Sequence, residues 1–130
     1  MSKEAPRIGA ITWADLTVPN ATEVREFYRD VVGYDVVDLD MGGYSDYCMN
    51  VPGTETTVAG VCHARGPNAD IPPVWLIYIT VADLADSVAK VRALGGKVIR
   101  EPKSMGEWGS MAVIEDPAGA VAALIEPPKG

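Results

Sequence analysis

The feature that most constrains this chain is a repeat. One ungapped offset of 63 residues carries Val18 onto Val81, Asn20 onto Asp83, Gly33 onto Gly96 and Val36 onto Ile99. In both places the order is the same: the end of a strand, a polar helix start, a glycine stop and a new strand. Four matches in one register point to duplication, and a duplicated chain is read as copies of one supersecondary unit. At 130 residues the chain is one compact domain or two small fused modules.

The elements follow from local pattern. Ile8–Val18 (IGAITWADLTV) is rich in β-formers and reads as a strand. Pro19-Asn20 breaks it, and Asn20 with Glu23 three residues on has the form of a capping box. Val24, Phe27, Tyr28 and Val31 fall at helical spacing as one apolar stripe, and Gly33 ends the helix. Strands are expected at Tyr34–Leu39, Tyr44–Val51 and Thr56–His63, with turns at Met41-Gly42-Gly43 and Pro52-Gly53. The second copy starts with strand Trp75–Val81. Asp83 is its N-cap, with Asp86 near the positive helix end. Leu84, Val88, Val91 and Leu94 form the stripe, and Gly95-Gly96 stops it. Strands follow at Lys97–Arg100, Met111–Glu115 and Ala120–Glu126, the last two joined by the turn Asp116-Pro117-Ala118-Gly119. Each copy is β-α-β-β-β, over residues 8–64 and 74–127, and the connector Ala64–Pro73 has the Gly and Pro content of a loop. The expected fold class is α+β: two tandem βαβββ modules forming a cupped, eight-stranded mixed sheet with the helices outside. A cup is where small molecules bind.

Composition narrows function by exclusion. Hydrophobic residues at 48% and charged residues at 22% are ordinary globular usage. A net charge of −7 repels phosphate backbones and anionic lipid, so neither nucleic acid nor a membrane surface is expected as a partner. The start, MSKEAPR, has no apolar core of a signal peptide, and a cytoplasmic location is expected. There is one histidine, His63, and there are two cysteines, Cys48 and Cys62, without CxxC spacing. A zinc site of several His and Cys ligands would need nearly all of them. The cysteines read as small buried hydrophobes, a single disulfide being the alternative. Any Ser-His or Cys-His mechanism would have to use His63.

These residues carry a resemblance. Arg25–Tyr34 (REFYRDVVGY) resembles the first helix end, Arg92–Val98 (RALGGKV) the second helix stop, and Glu115–Val121 (EDPAGAV) the final turn of the vicinal oxygen chelate superfamily, which holds glyoxalases, bleomycin-resistance proteins and extradiol dioxygenases. The resemblance runs from about Ile8 to Pro127. It implies a cleft with up to four ligands for a divalent metal, one on the first and one on the last strand of each module. Carried onto this chain, those positions fall on Trp13, Leu76, Ala123 and, least securely, Gly60. None offers a side-chain electron pair to a metal. Glu126 lies three residues past the family's position, at opposite strand parity. The expectation is therefore no metal and no cofactor.

Strand parity predicts what else lines the cup. Trp13, Tyr47, Met49, Cys62, Leu76, Tyr78, Met111 and Ala123 would make an apolar, aromatic wall suited to a planar or lipophilic molecule, or they would simply fill the space. Asp15 would be a desolvated general base, or a solvated carboxylate near a strand end. His63, Arg65 and Asn68 would form an acid/base and anion-binding rim, or ordinary loop contacts. Trp108, between Gly106 and Gly109, would be a lid or a partner contact. The expected function is binding of a small apolar or aromatic molecule by a homodimer lacking the family's metal ligands. The alternatives are a metal-independent lyase or isomerase acting on a small carbonyl compound through Asp15 or His63, a metal enzyme with unconventional ligands (Asp15, Glu126, His63), and an interaction module with a filled cup.

Overall fold

Both halves fold as the repeat requires. The computed structural model describes residues 7–128. In chain order the elements are β1 (Ile11–Val18), α1 (Ala21–Val32), β2 (Asp35–Asp40), β3 (Ser45–Asn50), β4 (Thr57–His63), β5 (Trp75–Thr80), α2 (Leu84–Ala93), β6 (Lys97–Ser104), β7 (Ser110–Glu115) and β8 (Val121–Glu126). The class is α+β, with eight strands in two βαβββ runs. Short 3₁₀ turns cover Gly66–Asn68 and Gly106–Trp108.

The chain forms two compact units. One is Ala14–Trp75. The other joins the described residues up to Trp13 to those from Leu76 onward. The division falls within β1, so the segment before Ala14 goes with the second half: Gly9 donates to the Thr80 carbonyl at 2.8 Å, and Thr80 N–H to the Ala10 carbonyl at 2.9 Å.

In the unit 14–75 the strand order is β2-β3-β4-β1, with β1 parallel to β4 and the other pairs antiparallel. The helix side of this sheet is the core: Leu16, Val18, Tyr47, Met49, Ala59 and Val61, with Val24 and Tyr28 packed on it from α1. In the other unit the order is β5-β8-β7-β6, with β5 parallel to β8. Its helix side holds Ala112, Ile114 and Leu124 against Leu84 and Val88 of α2. The repeat survives in the register. Asp15 pairs with Gly60 and Tyr78 with Ala123, each position displaced by the same 63 residues.

The two helices begin differently. Asp83 accepts from Asp86 N–H at 3.0 Å, the expected N-cap. Asn20 does not cap α1. Its side-chain amide donates to Glu23 at 2.8 Å, so the expected capping box is absent and only the Asn20 carbonyl engages the helix, through Val24 N–H. The α1 stripe is also narrower than its spacing suggests. Val24 and Tyr28 face the core, whereas Phe27 and Val31 are 58% and 64% exposed. In the second module Leu94 lies just past α2 and is exposed as well.

Helix stops follow two routes. Gly33 adopts φ of 90°, which a side chain would strain. Gly96 is needed for space: a Cβ there would lie 2.8 Å from the Glu115 carbonyl oxygen. The Asp116 turn is fixed by its carboxylate, which accepts from Ala118 and Ala120 N–H, both at 2.9 Å.

Candidate functional site

Each four-stranded sheet has one face under its helix and one face opposite. In the second-half unit the opposite face follows from the pairing. Tyr78 pairs with Ala123 and Thr80 with Ile125; Ala123 pairs with Val113 and Ile125 with Met111. Directly paired residues share a face, and Leu76 belongs with Tyr78 by alternation. Four of the residues expected on the wall, Leu76, Tyr78, Met111 and Ala123, thus lie together on one apolar face, and all are buried. Glu126 has the opposite parity. It accepts from Leu84 N–H at 2.8 Å, on the α2 side.

The edge strand β6 completes this face. Lys97 pairs with Glu115, Arg100 with Val113 and Lys103 with Met111, with register shifts between Val98 and Arg100 and between Arg100 and Lys103. Glu101 turns the other way and pairs with Arg92 of α2. β6 is longer than expected and runs through Pro102, which an edge strand tolerates.

In the unit 14–75 the corresponding face is polar. Asp15 pairs with Gly60, which pairs with Cys48, and Thr17 pairs with Cys62. Asp15 and Asp46 are both buried. The Cys62 thiol shares this face with both carboxylates. Its pKa is pushed far up, first by burial and then by the charges of Asp15 and Asp46. Cys48 is raised as well, by burial and then by Asp46. Neither cysteine is in a disulfide, and both carry inert thiols at neutral pH.

Asp46 also organises the single histidine. Its Oδ1 accepts from His63 N–H at 2.8 Å and lies 3.3 Å from His63 Nδ1. The imidazole stands edge-on to Tyr44 and tilted against Tyr47, with ring centroids 5.7 Å and 5.8 Å away. Arg65 stacks on Tyr44 at 3.9 Å. Asn68 Oδ1, nearby in sequence, is buried without a partner. A carboxylate on Nδ1 orients the ring and selects the tautomer whose Nε2 accepts a proton.

Tyr47 and Met49 are corrections. Both belong by expectation to the wall, but they pack in the core beneath α1, and the Tyr47 hydroxyl lies 2.7 Å from Thr22 Oγ1. Arg25 covers its ring at 4.3 Å. The cause is register: β3 is set so that Tyr47 pairs with Val61, a core residue, and Cys48 takes the opposite face. Trp13 lies in β1 and is half-buried. Trp108 is exposed on its 3₁₀ turn. Sequence reasoning missed Asp46 and Arg100. The signal for Asp46 was a lone acid inside an alternating strand; Arg100 gave none, because the β6 bulges have no sequence signature. An open apolar groove of about 290 Å³, between Val91, Leu94, Ile114 and Leu124, lies on the α2 side of its sheet, away from these residues.

Among the described residues no three His, Cys, Asp or Glu side chains converge on a point that could hold a metal ion. The two ligand positions that the pairing fixes, Gly60 beside Asp15 and Ala123 beside Tyr78, bear no donor atom.

The chain belongs to the Glyoxalase/Bleomycin resistance protein/Dioxygenase superfamily, whose pattern matches residues 8–124. It is 32% identical over 119 residues to "Putative glyoxylase CFP32" of Mycobacterium tuberculosis, covering 91% of this chain and 46% of that protein. It is 31% identical over 139 residues to the anthracycline biosynthesis protein DnrV of Streptomyces peucetius, covering 95% and 48%. The chain thus spans about half the length of the curated relatives it matches. Among solved structures, methylmalonyl-CoA epimerase from M. tuberculosis superposes with a TM-score of 0.59 at 18% identity, over 97% of this chain and 93% of that one, a likeness of fold.

Proposed function

We propose that this protein binds a small apolar or aromatic molecule without a metal ion, using the sheet face turned away from α2. The observation that carries this reading is the shared face of Leu76, Tyr78, Met111 and Ala123. A lipophilic ligand gains about 25 cal/mol for each Å² of apolar surface removed from water. Trp13, in the same unit, is the proposed further contact. The donor set does not fit a divalent ion: of the four positions the superfamily uses, Trp13, Gly60, Leu76 and Ala123, none supplies a lone pair. Titration with N-phenyl-1-naphthylamine, followed by fluorescence, tests the reading. Saturable binding is expected in the presence of EDTA. Binding only after a divalent metal is added would sink it.

A second reading is supported by the Asp46–His63 contact. In it the protein is a metal-independent lyase or isomerase for a small carbonyl compound, with His63 Nε2 taking a proton α to the carbonyl while Asp46 steadies the ring. Asp15 is the alternative base. The check is deuterium exchange into α-carbons of a panel of 2-oxo and 2-hydroxy acids. His63→Gln should abolish any exchange that the wild type shows.

We place the protein in the cytoplasm, working as a homodimer. The exposed Phe27 and Val31 on α1 support self-association. No described helix is long and apolar enough to cross a membrane. Sedimentation velocity would show a dimer; a concentration-independent monomer would remove that part of the proposal.

A further inference from the structure

β6 does something that its sequence does not announce. A regular strand would put Lys97, Ile99, Glu101 and Lys103 on one face. The two register shifts instead bring Lys97, Arg100 and Lys103 to the same side, that of Glu115, Val113 and Met111. Glu101 is turned to the α2 side, where Arg92 holds it. Bulges of this kind re-aim side chains and are common beside binding sites. Their result here is a line of three cations along the edge of an apolar face, in a chain of net charge −7.

Two further facts give the line a purpose. Arg100 is half-buried, yet among the described residues its guanidinium has neither an ion pair nor a hydrogen bond. An arginine that surrenders part of its hydration without a partner is costly unless something supplies one. On the same face the Thr80 hydroxyl is also unpartnered, in a residue only 2% exposed. Thr80 pairs with Ile125, which pairs with Met111, so it belongs to the same apolar floor.

We infer that this face takes an apolar or aromatic molecule bearing an acidic group, with Arg100 holding the acid and the Thr80 hydroxyl meeting a polar atom of the ligand body. The inference rests on the small-molecule reading above and names its ligand class. The row Tyr78–Ala123–Val113–Arg100 crosses four adjacent strands. At about 4.8 Å per strand it is roughly 14 Å long, matching the span of two or three fused rings with the acid at the β6 end. Lys103 and Lys97 flank that end and add attraction without specific geometry, whereas Arg100 can grip a carboxylate or sulfonate with two N–H donors. Val113 and Ala123 are 0% exposed, so entry requires a local opening.

The test compares two probes that differ only in the acid: 1-anilinonaphthalene-8-sulfonate and its uncharged parent, N-phenyl-1-naphthylamine. Each is titrated into the wild type, Arg100→Gln and Thr80→Val, with circular dichroism to check folding. Arg100→Gln should weaken the sulfonate about tenfold and the parent less than about twofold. Thr80→Val should weaken both alike, by about threefold. Raising the ionic strength should weaken the sulfonate on wild-type protein and leave the parent unchanged, a measurement that stands even if a variant misfolds. Equal effects of Arg100→Gln on both probes, or none on either, would overturn the acid-binding role and leave the apolar-binding reading intact. If neither probe binds the wild type, both fall.

Discussion

The two modules share a topology and a register but not a surface. Where the second-half sheet presents Tyr78 and Ala123 on the face away from its helix, the unit 14–75 presents Asp15 and Gly60 at the equivalent positions. One face is apolar, closed and edged by cations. The other holds two buried carboxylates and two thiols, and its Asp46 reaches the single histidine at the end of β4. Duplication conserved the pairing because register is fixed by the buried helix side of each sheet. The opposite face differs between the two: its side chains need not match to keep the same register. The lesson is that one register can carry an apolar face in one module and a polar, acidic face in the other.

That contrast can be broken by measurement. The largest effect is expected on the apolar side. Leu76→Ala should cost about 2–5 kcal/mol in chemical denaturation, because it leaves a cavity among fully buried neighbours. Cys48→Ala, on the partly exposed polar face, should cost less than about 1 kcal/mol. Equal losses would show that the two faces are packed alike. Next comes Asp46→Ala, which strands the His63 N–H and should cost about 1–3 kcal/mol. In the same variant the His63 ring should lose its fixed tautomer, visible in the ¹⁵N shifts of the imidazole. A wild-type-like spectrum would remove Asp46 from any role in orienting it.

Smaller effects compare the helix starts. Asp83→Ala should lower stability by about 1 kcal/mol, and Asn20→Ala by less than about 0.5 kcal/mol, because only Asp83 caps its helix. A reversed order in thermal melts would contradict the capping geometry. The smallest effect near neutrality is the pH dependence of Cys62. Its pKa is raised in the folded state, so the native protein keeps a proton that the unfolded chain gives up. Stability is therefore fully present below the ordinary thiol value of 9.0 and falls as pH rises above it. Cys62→Ala should flatten that alkaline decline, and a decline unchanged in the variant would refute the assignment.

Much of the fold was legible because local signals and the repeat agreed. Gly33, Asp83, Gly95-Gly96 and the Asp116 turn each do what their chemistry suggests. The site was less legible. Leu76, Tyr78, Met111 and Ala123 could be placed on a common face from alternation alone, since each strand keeps a period of two. Tyr47 could not. Its side depends on how β3 registers against β4, and a shift of one residue exchanges the faces. Phe27 and Val31 misled for a related reason: helical spacing shows which residues share a stripe, not how much of that stripe the sheet covers.

What the sequence determined by itself was the element order, the duplication and the kinds of atoms available. Those depend on neighbours along the chain and on side-chain chemistry. Tertiary structure alone decided that Asp46 reaches His63, that Asn20 does not cap, and that Arg100 turns toward Val113. Each of these depends on strand register, bulge position or side-chain rotamer. Such choices are settled by contacts between residues far apart in the chain, so no local pattern could carry them.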